Sequence, residues 1–269
     1  MAVATLSLEP ARRRALSKVV SLALVLGAWW AVAEAEIWSD LIVPGPVKVW
    51  DAFIQSVTSD GRRRGLSGHF LWEHLFASLG RILRGVGWGT LVGVPVGLLL
   101  ATVRPVRTVA EPYVSFLRSL PPLGYFSLLI IWFGIDDTSK VWLLFLTAFP
   151  PIALATLAGV ERVRADHLDA GRALGANRRQ LLTAVIVPST LPEILTGIRF
   201  ALGFAWTTIV AAETTNGIPG IGGLAWATKK ELRSDVAILC VIVIGLTAVL
   251  LDGAIRRLER RLVPWKGRV

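Results

Sequence analysis

A single cysteine, Cys240, and three histidines among 269 residues set the first limits on this chain. One thiol excludes a disulfide framework and any cysteine-cluster metal site. Cys240 lies in an apolar run and reads as a small buried hydrophobe. His69, His74 and His167 are too few and too scattered to suggest zinc. The apolar segments hold no H-E-x-x-H pair and no serine or cysteine with a nearby histidine, which argues against an intramembrane enzyme. No G-x-x-x-x-G-K-[ST] pattern occurs, so any nucleotide hydrolysis belongs to another chain. Charge is also scarce: 18% of the residues are charged and 54% hydrophobic, with a mean hydropathy of +0.60. Soluble domains carry more charge and less apolar content.

What the chain has is long apolar runs, and crossing a hydrocarbon core of roughly 30 Å takes about 20 such residues in a helix. Six runs qualify, at residues 19–35, 75–103, 109–133, 140–160, 190–212 and 236–255. Arg104 to Arg107 reads as a basic turn between the second and third spans. Placing the N-terminus in the cytoplasm puts seventeen Lys and Arg residues inside and eight outside, with Arg81, Arg84, Arg118 and Arg199 within spans. That asymmetry satisfies the positive-inside rule and predicts both termini in the cytoplasm. It also explains the net charge of +10 as topological, which removes nucleic acid as a partner. Arg12 to Arg14, the apolar stretch and Ala31-Val32-Ala33 also have the form of a cleavable leader, but an uncleaved first span keeps the charge pattern consistent.

The organisation that follows is a basic N-terminus (1–18), a first span (19–35), an external segment (36–74), a transmembrane core (75–258) that includes the polar segment 161–188, and a basic tail (259–269). Within the external segment, Val49, Trp50, Phe53, Ile54 and Val57 recur at helical spacing, predicting an amphipathic helix along the outer interface. Arg62 to Arg64 read as a solvated loop.

Three segments carry mechanism. Gly85, Gly89, Gly93 and Gly97 form one smooth stripe on the second span, suited either to sliding between helices or to packing within one subunit. Arg118, Ser119, Pro121, Pro122 and Tyr125 surround a break in the third span, since adjacent prolines cannot continue a helix. Irregular backbone at membrane depth survives only where protein buries it or water reaches it. Arg118 is therefore either a pathway residue for an anionic solute, with Ser119 or Tyr125 hydrogen-bonding, or a structurally paired arginine. Arg81, Arg84 and Arg199 are weaker candidates that snorkel or pair. Glu213 is either a gate residue or the outer end of the fifth span.

The third segment spans residues 161–188 and is the polar interruption between the fourth and fifth spans. Asp166 and Asp169 suit the first turn of a short helix, with Asp166 capping and Arg172 directed away. Gly175 suits a left-handed stop, Asn177 with Gln180 a second capping box, and Pro188 the end of a second short helix. Thr190 and Glu193 have the spacing of a third box opening the fifth span.

Asp169-Ala170-Gly171, then Leu174-Gly175, then Val185, Val187 and Pro188 resemble the EAA loop of the membrane subunits of bacterial ATP-binding cassette (ABC) importers. Leu117 to Leu123, Ile131 to Lys140, Leu195 to Arg199, Val210 to Glu213 and Arg260 to Trp265 extend the resemblance over residues 44–265 to the sulfonate, taurine and nitrate permeases, most of all the taurine permeases. Asp169 stands where Glu is usual, Gly171 where Ala is, and Val185 and Val187 where Ile and Leu are.

The resemblance implies an all-α polytopic membrane protein of the type I importer permease fold, with about six transmembrane helices and a cytoplasmic coupling loop. It implies no catalysis by this chain. It further implies a homodimer in a bacterial inner membrane, two ATPase subunits binding ATP and Mg, an extracytoplasmic solute-binding protein, and a small anionic or zwitterionic solute. Taurine or another organosulfonate is the expected solute, with nitrate or a carboxylate as alternatives. A channel or transporter working without ATP is the remaining option, and the coupling loop counts against it.

Overall fold

The computed structural model describes residues 10–35, 37–60 and 63–264, so Arg62, Lys266, Arg268 and residues 1–9 of the expected basic N-terminus lie outside the described residues. Helix α1 (Pro10–Glu34) leads to α2 (Pro46–Val57), followed by a two-residue antiparallel ladder of β1 (Ser59–Asp60) with β2 (Arg63–Arg64). The helices α3 (Leu71–Thr102), α4 (Arg104–Ser119), α5 (Pro122–Phe133) and α6 (Asp137–Glu161) follow. Beyond them lie α7 (Ala165–Ala173), α8 (Arg178–Gln180), a π-helical segment (Leu181–Ile186), α9 (Val187–Asn216), α10 (Ile221–Glu231) and α11 (Ser234–Leu262). Five of these are long and apolar enough to cross a membrane, and the α4–α5 pair makes a sixth if counted as one broken span. Together they form the expected all-α membrane architecture, the short ladder aside.

The core is a sandwich centred on α6. On one side the glycine stripe of α3 receives it: a Cβ at Gly89 would lie 2.8 Å from Ala148 Cβ, and one at Gly97 would lie 2.6 Å from Thr156 Cβ. Gly85 meets Leu144 and Gly93 meets Ile152 in the same way. The stripe therefore packs two helices of one subunit at backbone distance, and the sliding alternative is not needed to explain it. On the other side of α6, a Cβ at Gly197 of α9 would lie 2.6 Å from Ala155 Cβ. Leu144, Ala148, Ile152, Ala201, Ala205 and Ile209 are fully buried in this three-helix layer.

Helix α2 buries Val49, with Phe53 and Val57 packed behind it, and leaves Trp50 and Ile54 exposed. That is the half-buried geometry of an interfacial helix. From Leu16 to Glu34 helix α1 stands almost wholly exposed, and it meets the body at Trp29, whose indole Nε1 donates to the Pro44 carbonyl at 3.2 Å.

The break expected in the third span is there: α4 and α5 meet at 98° across Leu120 and Pro121. Three local expectations are corrected. Arg104 to Arg107 is not a turn but the first turn of α4, with Pro105 where a missing N–H costs nothing. Pro188 ends nothing: it sits in the first turn of α9, and helical backbone continues through the π segment from Arg178 to Asn216. Thr190 is not a cap but a buried mid-helix residue whose hydroxyl donates to the Ile186 carbonyl at 2.7 Å.

Candidate coupling loop and solute groove

The polar segment folds as a hairpin of α7 against the π-helical start of the long rod. Arg164, in extended conformation, holds the position before α7, and Asp166 is the second residue of the helix, 3.0 Å from the Arg164 guanidinium. Asp166 is thus a first-turn acid at the helix N-terminus and not the cap itself. At the other end Gly175 has φ +81°. The Gly175 N–H donates to Arg172 O at 2.9 Å, and the Ala176 N–H to Gly171 O at 3.0 Å. Those two bonds make a Schellman stop, which glycine adopts without a Cβ penalty.

Asn177 then opens α8 with a reciprocal box. Its Oδ1 accepts from the Gln180 N–H at 2.9 Å, and Gln180 Oε1 accepts from the Asn177 N–H at 2.8 Å. A Cβ at Gly171 would lie 2.7 Å from Leu181 Cδ2 and 3.7 Å from Val185 Cγ2. Small size at this position is what lets α7 lie on the π turn. Val185, Val187 and Pro188 are half-buried beneath it.

Leu174 and Asp169 are among the outward-facing groups of the loop. Leu174 is 89% exposed at the tip, beside exposed Ala170 and Gly175. Asp169 is exposed too, but Arg172 is not directed away from it: its Nη1 lies 2.8 Å from Asp169 Oδ1. The base of the hairpin is tied to the bundle by Arg107 with Glu161 at 2.5 Å and by Arg162 with Glu193 at 3.2 Å.

Beyond the loop, between α6 and α9, runs an open groove of about 440 Å³. Arg118, Arg162, Glu193, Thr196, Phe200 and Phe204 are among the residues lining it. Arg118 reaches it from the last turn of α4, where the break at Pro121 and Pro122 ends the helix. The other candidates around the break are not gathered there. Ser119 donates to its own helix at Ser115 O, 3.0 Å away, and Tyr125 packs on the separate cluster of Phe126, Leu129 and Leu143.

The four arginines within spans divide sharply. Arg81 pairs with Asp137 at 2.7 Å and Glu213 at 2.6 Å, Arg84 with Asp137 at 3.3 Å, and Arg199 with Asp252 at 2.7 Å. Arg118 has no such partner among the described residues.

Glu213 lies in the last turn of α9, with its carboxylate buried at the end of the bundle away from the loop. It accepts from Ser78 Oγ at 2.8 Å and from the Gly222 N–H at 2.9 Å, in addition to Arg81. His74 joins the same cluster: its Nδ1 accepts from the Gly220 N–H at 3.0 Å, which leaves Nε2 to donate to Leu66 O at 3.1 Å. Lys140 closes it by donating to the Asn216 carbonyl. Sequence reasoning missed His74, Ser78, Asp137 and Lys140 here. The available signal was Arg81 inside an apolar helix, which demands a buried acid from elsewhere in the fold.

Residues 93–264 match the family described as binding-protein-dependent transport system inner membrane component. The chain is 39% identical over 260 residues to the taurine transport system permease protein TauC of Escherichia coli K12, covering 97% of this chain and 93% of that protein. It is 33% identical over 239 residues to the putative aliphatic sulfonates transport permease protein SsuC of the same organism, covering 88% of each. Among solved structures, an inward-facing form of the MetNI methionine ABC transporter superposes with a TM-score of 0.60 at 21% identity, over 71% of this chain and 95% of that one.

Proposed function

This chain belongs to the binding-protein-dependent inner membrane components, the multi-pass permease subunits of ABC importers, and from that premise we propose how it works and on what. It is a transport subunit and not an enzyme. Two copies enclose a path for a small organosulfonate, taurine first, with the termini and the α7–α8 hairpin in the cytoplasm. Each copy carries an ATPase subunit that binds ATP and Mg, and an extracytoplasmic binding protein delivers the solute.

The observation that carries this reading is the hairpin tip. A leucine 89% exposed beside a glycine stop and a charged acid is unfavourable in water and suits a cleft on a partner. Pulling two such hairpins together when ATP binds switches the pathway, provided ATP binds one state better than the other. The solute assignment rests on the taurine and sulfonate relatives. A bicarbonate transport system permease protein, CmpB of Synechococcus elongatus, is 34% identical over 200 residues, which keeps a smaller anion as the second reading.

The test is co-expression with an ABC ATPase and a binding protein in proteoliposomes. Asp169→Arg and Leu174→Asp should leave the permease in the membrane while abolishing solute-dependent ATP hydrolysis and ATPase copurification. Full uptake by either variant, or uptake by the permease without ATP, contradicts the reading.

A further inference from the structure

The groove between α6 and α9 carries charge of both signs and an apolar wall. Arg118, in the last turn of α4 and without a carboxylate partner among the described residues, lines it. An arginine in a span without a carboxylate partner is costly, and such a residue is kept where something else satisfies it. Toward the loop end the groove presents Glu193, which among the described residues pairs with the Arg162 guanidinium at 3.2 Å. Arg162 is 74% exposed, so solvent screens this pair and leaves it open to exchange with a competing cation. Phe200 and Phe204 also line the groove and stand exposed on α9, with Thr196 beside them.

We propose that this groove is a binding station for the solute in transit and that it selects a small zwitterion. Arg118 receives the sulfonate-type anion through charge-assisted hydrogen bonds, Glu193 receives the ammonium group as Arg162 yields it, and Phe200 and Phe204 cover the short aliphatic link. A volume of about 440 Å³ leaves room for such a molecule and for water around it. Arg118 and Glu193 act in succession along the groove, the anion being held at depth and the ammonium read toward the loop end. Glu193 is then the specificity residue: it favours an ω-amino sulfonate over the same sulfonate without its amine.

The inference rests on the importer reading, and its test separates the two. Uptake of taurine and of ethanesulfonate is measured in proteoliposomes holding the permease, its ATPase and one binding protein, so that the binding protein's own selectivity cancels in the ratio to wild type. Arg118→Gln should lower uptake of both solutes about tenfold. Glu193→Gln should lower the taurine-to-ethanesulfonate ratio at least fivefold, and Glu193→Asp should restore most of it. Copurification with the ATPase and a monodisperse elution profile establish that each variant is assembled.

An unchanged ratio in Glu193→Gln, or unchanged uptake in Arg118→Gln, overturns the station. Arg162→Gln distinguishes selection from a merely structural ion pair, because it breaks the same pair and should leave the ratio at or above the wild-type value. An equal fall of the ratio in Arg162→Gln and Glu193→Gln also overturns it. Wild-type uptake that needs no ATPase would instead refute the importer reading and leave the groove prediction to be judged on the ratios alone.

Discussion

Arg81 Nη1 and Glu213 Oε1 lie 2.6 Å apart, joining α3 to α9 through a carboxylate that is 1% exposed. Ser78 and the Gly222 N–H complete the shell of Glu213, and Asp137 takes the Arg81 Nε. Ion pairs this deep are stabilising only as complete sets, because each charge was stripped of water to enter.

Removing one side of the clamp is therefore expected to hurt more than removing its charge alone. Arg81→Met should cost about 3–5 kcal/mol by leaving Glu213 buried without its cation. Glu213→Gln keeps an oxygen for Ser78 and Gly222 and should cost less than Glu213→Ala. Thermal unfolding in detergent gives the order; equal melting temperatures for Arg81→Met and wild type would contradict it.

Glycines on α3 provide an internal control on packing. Gly87→Ala, with nothing within 4 Å of the new Cβ, should be neutral or stabilising by up to about 1 kcal/mol. Gly89→Ala places a methyl 2.8 Å from Ala148 Cβ and should destabilise by about 1–3 kcal/mol. The difference between the two melting temperatures is the readout, and it vanishes if α3 and α6 do not pack at backbone distance.

The two loop glycines fail for different reasons. Gly175→Ala meets no atom but must adopt φ +81°, costing about 1 kcal/mol, and Gly175→Asn should recover part of that. Gly171→Val drives a branched side chain into Leu181 and should displace α7 from the π turn. ATPase copurification is expected to survive both Gly175 variants and to fall severalfold in Gly171→Val.

Much of this architecture is legible from local rules. The alternation that exposes Trp50 and buries Val49 is visible as helical spacing, and the Asn177–Gln180 box and the Gly175 stop are determined by residues next to them in sequence. Elsewhere local rules mislead. Thr190 and Glu193 have the spacing of a capping box, yet Thr190 is held by the close approach of Gly159, and Glu193 faces Arg162, thirty-one residues earlier in the chain. Pro188 reads as a stop because a proline lacks a donor. One turn of wider winding ahead of it carries the helix onward, and nothing in Leu181 to Ile186 announces that turn. His74 and Lys140 look like stray polar residues because their partners, Gly220 and Asn216, are backbone groups over seventy residues away.

The continuous helical rod from Arg178 to Asn216 has a mechanical corollary. At 1.5 Å per residue its 39 residues reach about 58 Å, more than the thickness of a bilayer. One end bears the Asn177 box and the other bears Glu213, locked to α3. Between them the π turn, Pro188 and Pro192 are the points at which such a rod bends, so a load entering at the tip meets these before it reaches the ion pair at the far end.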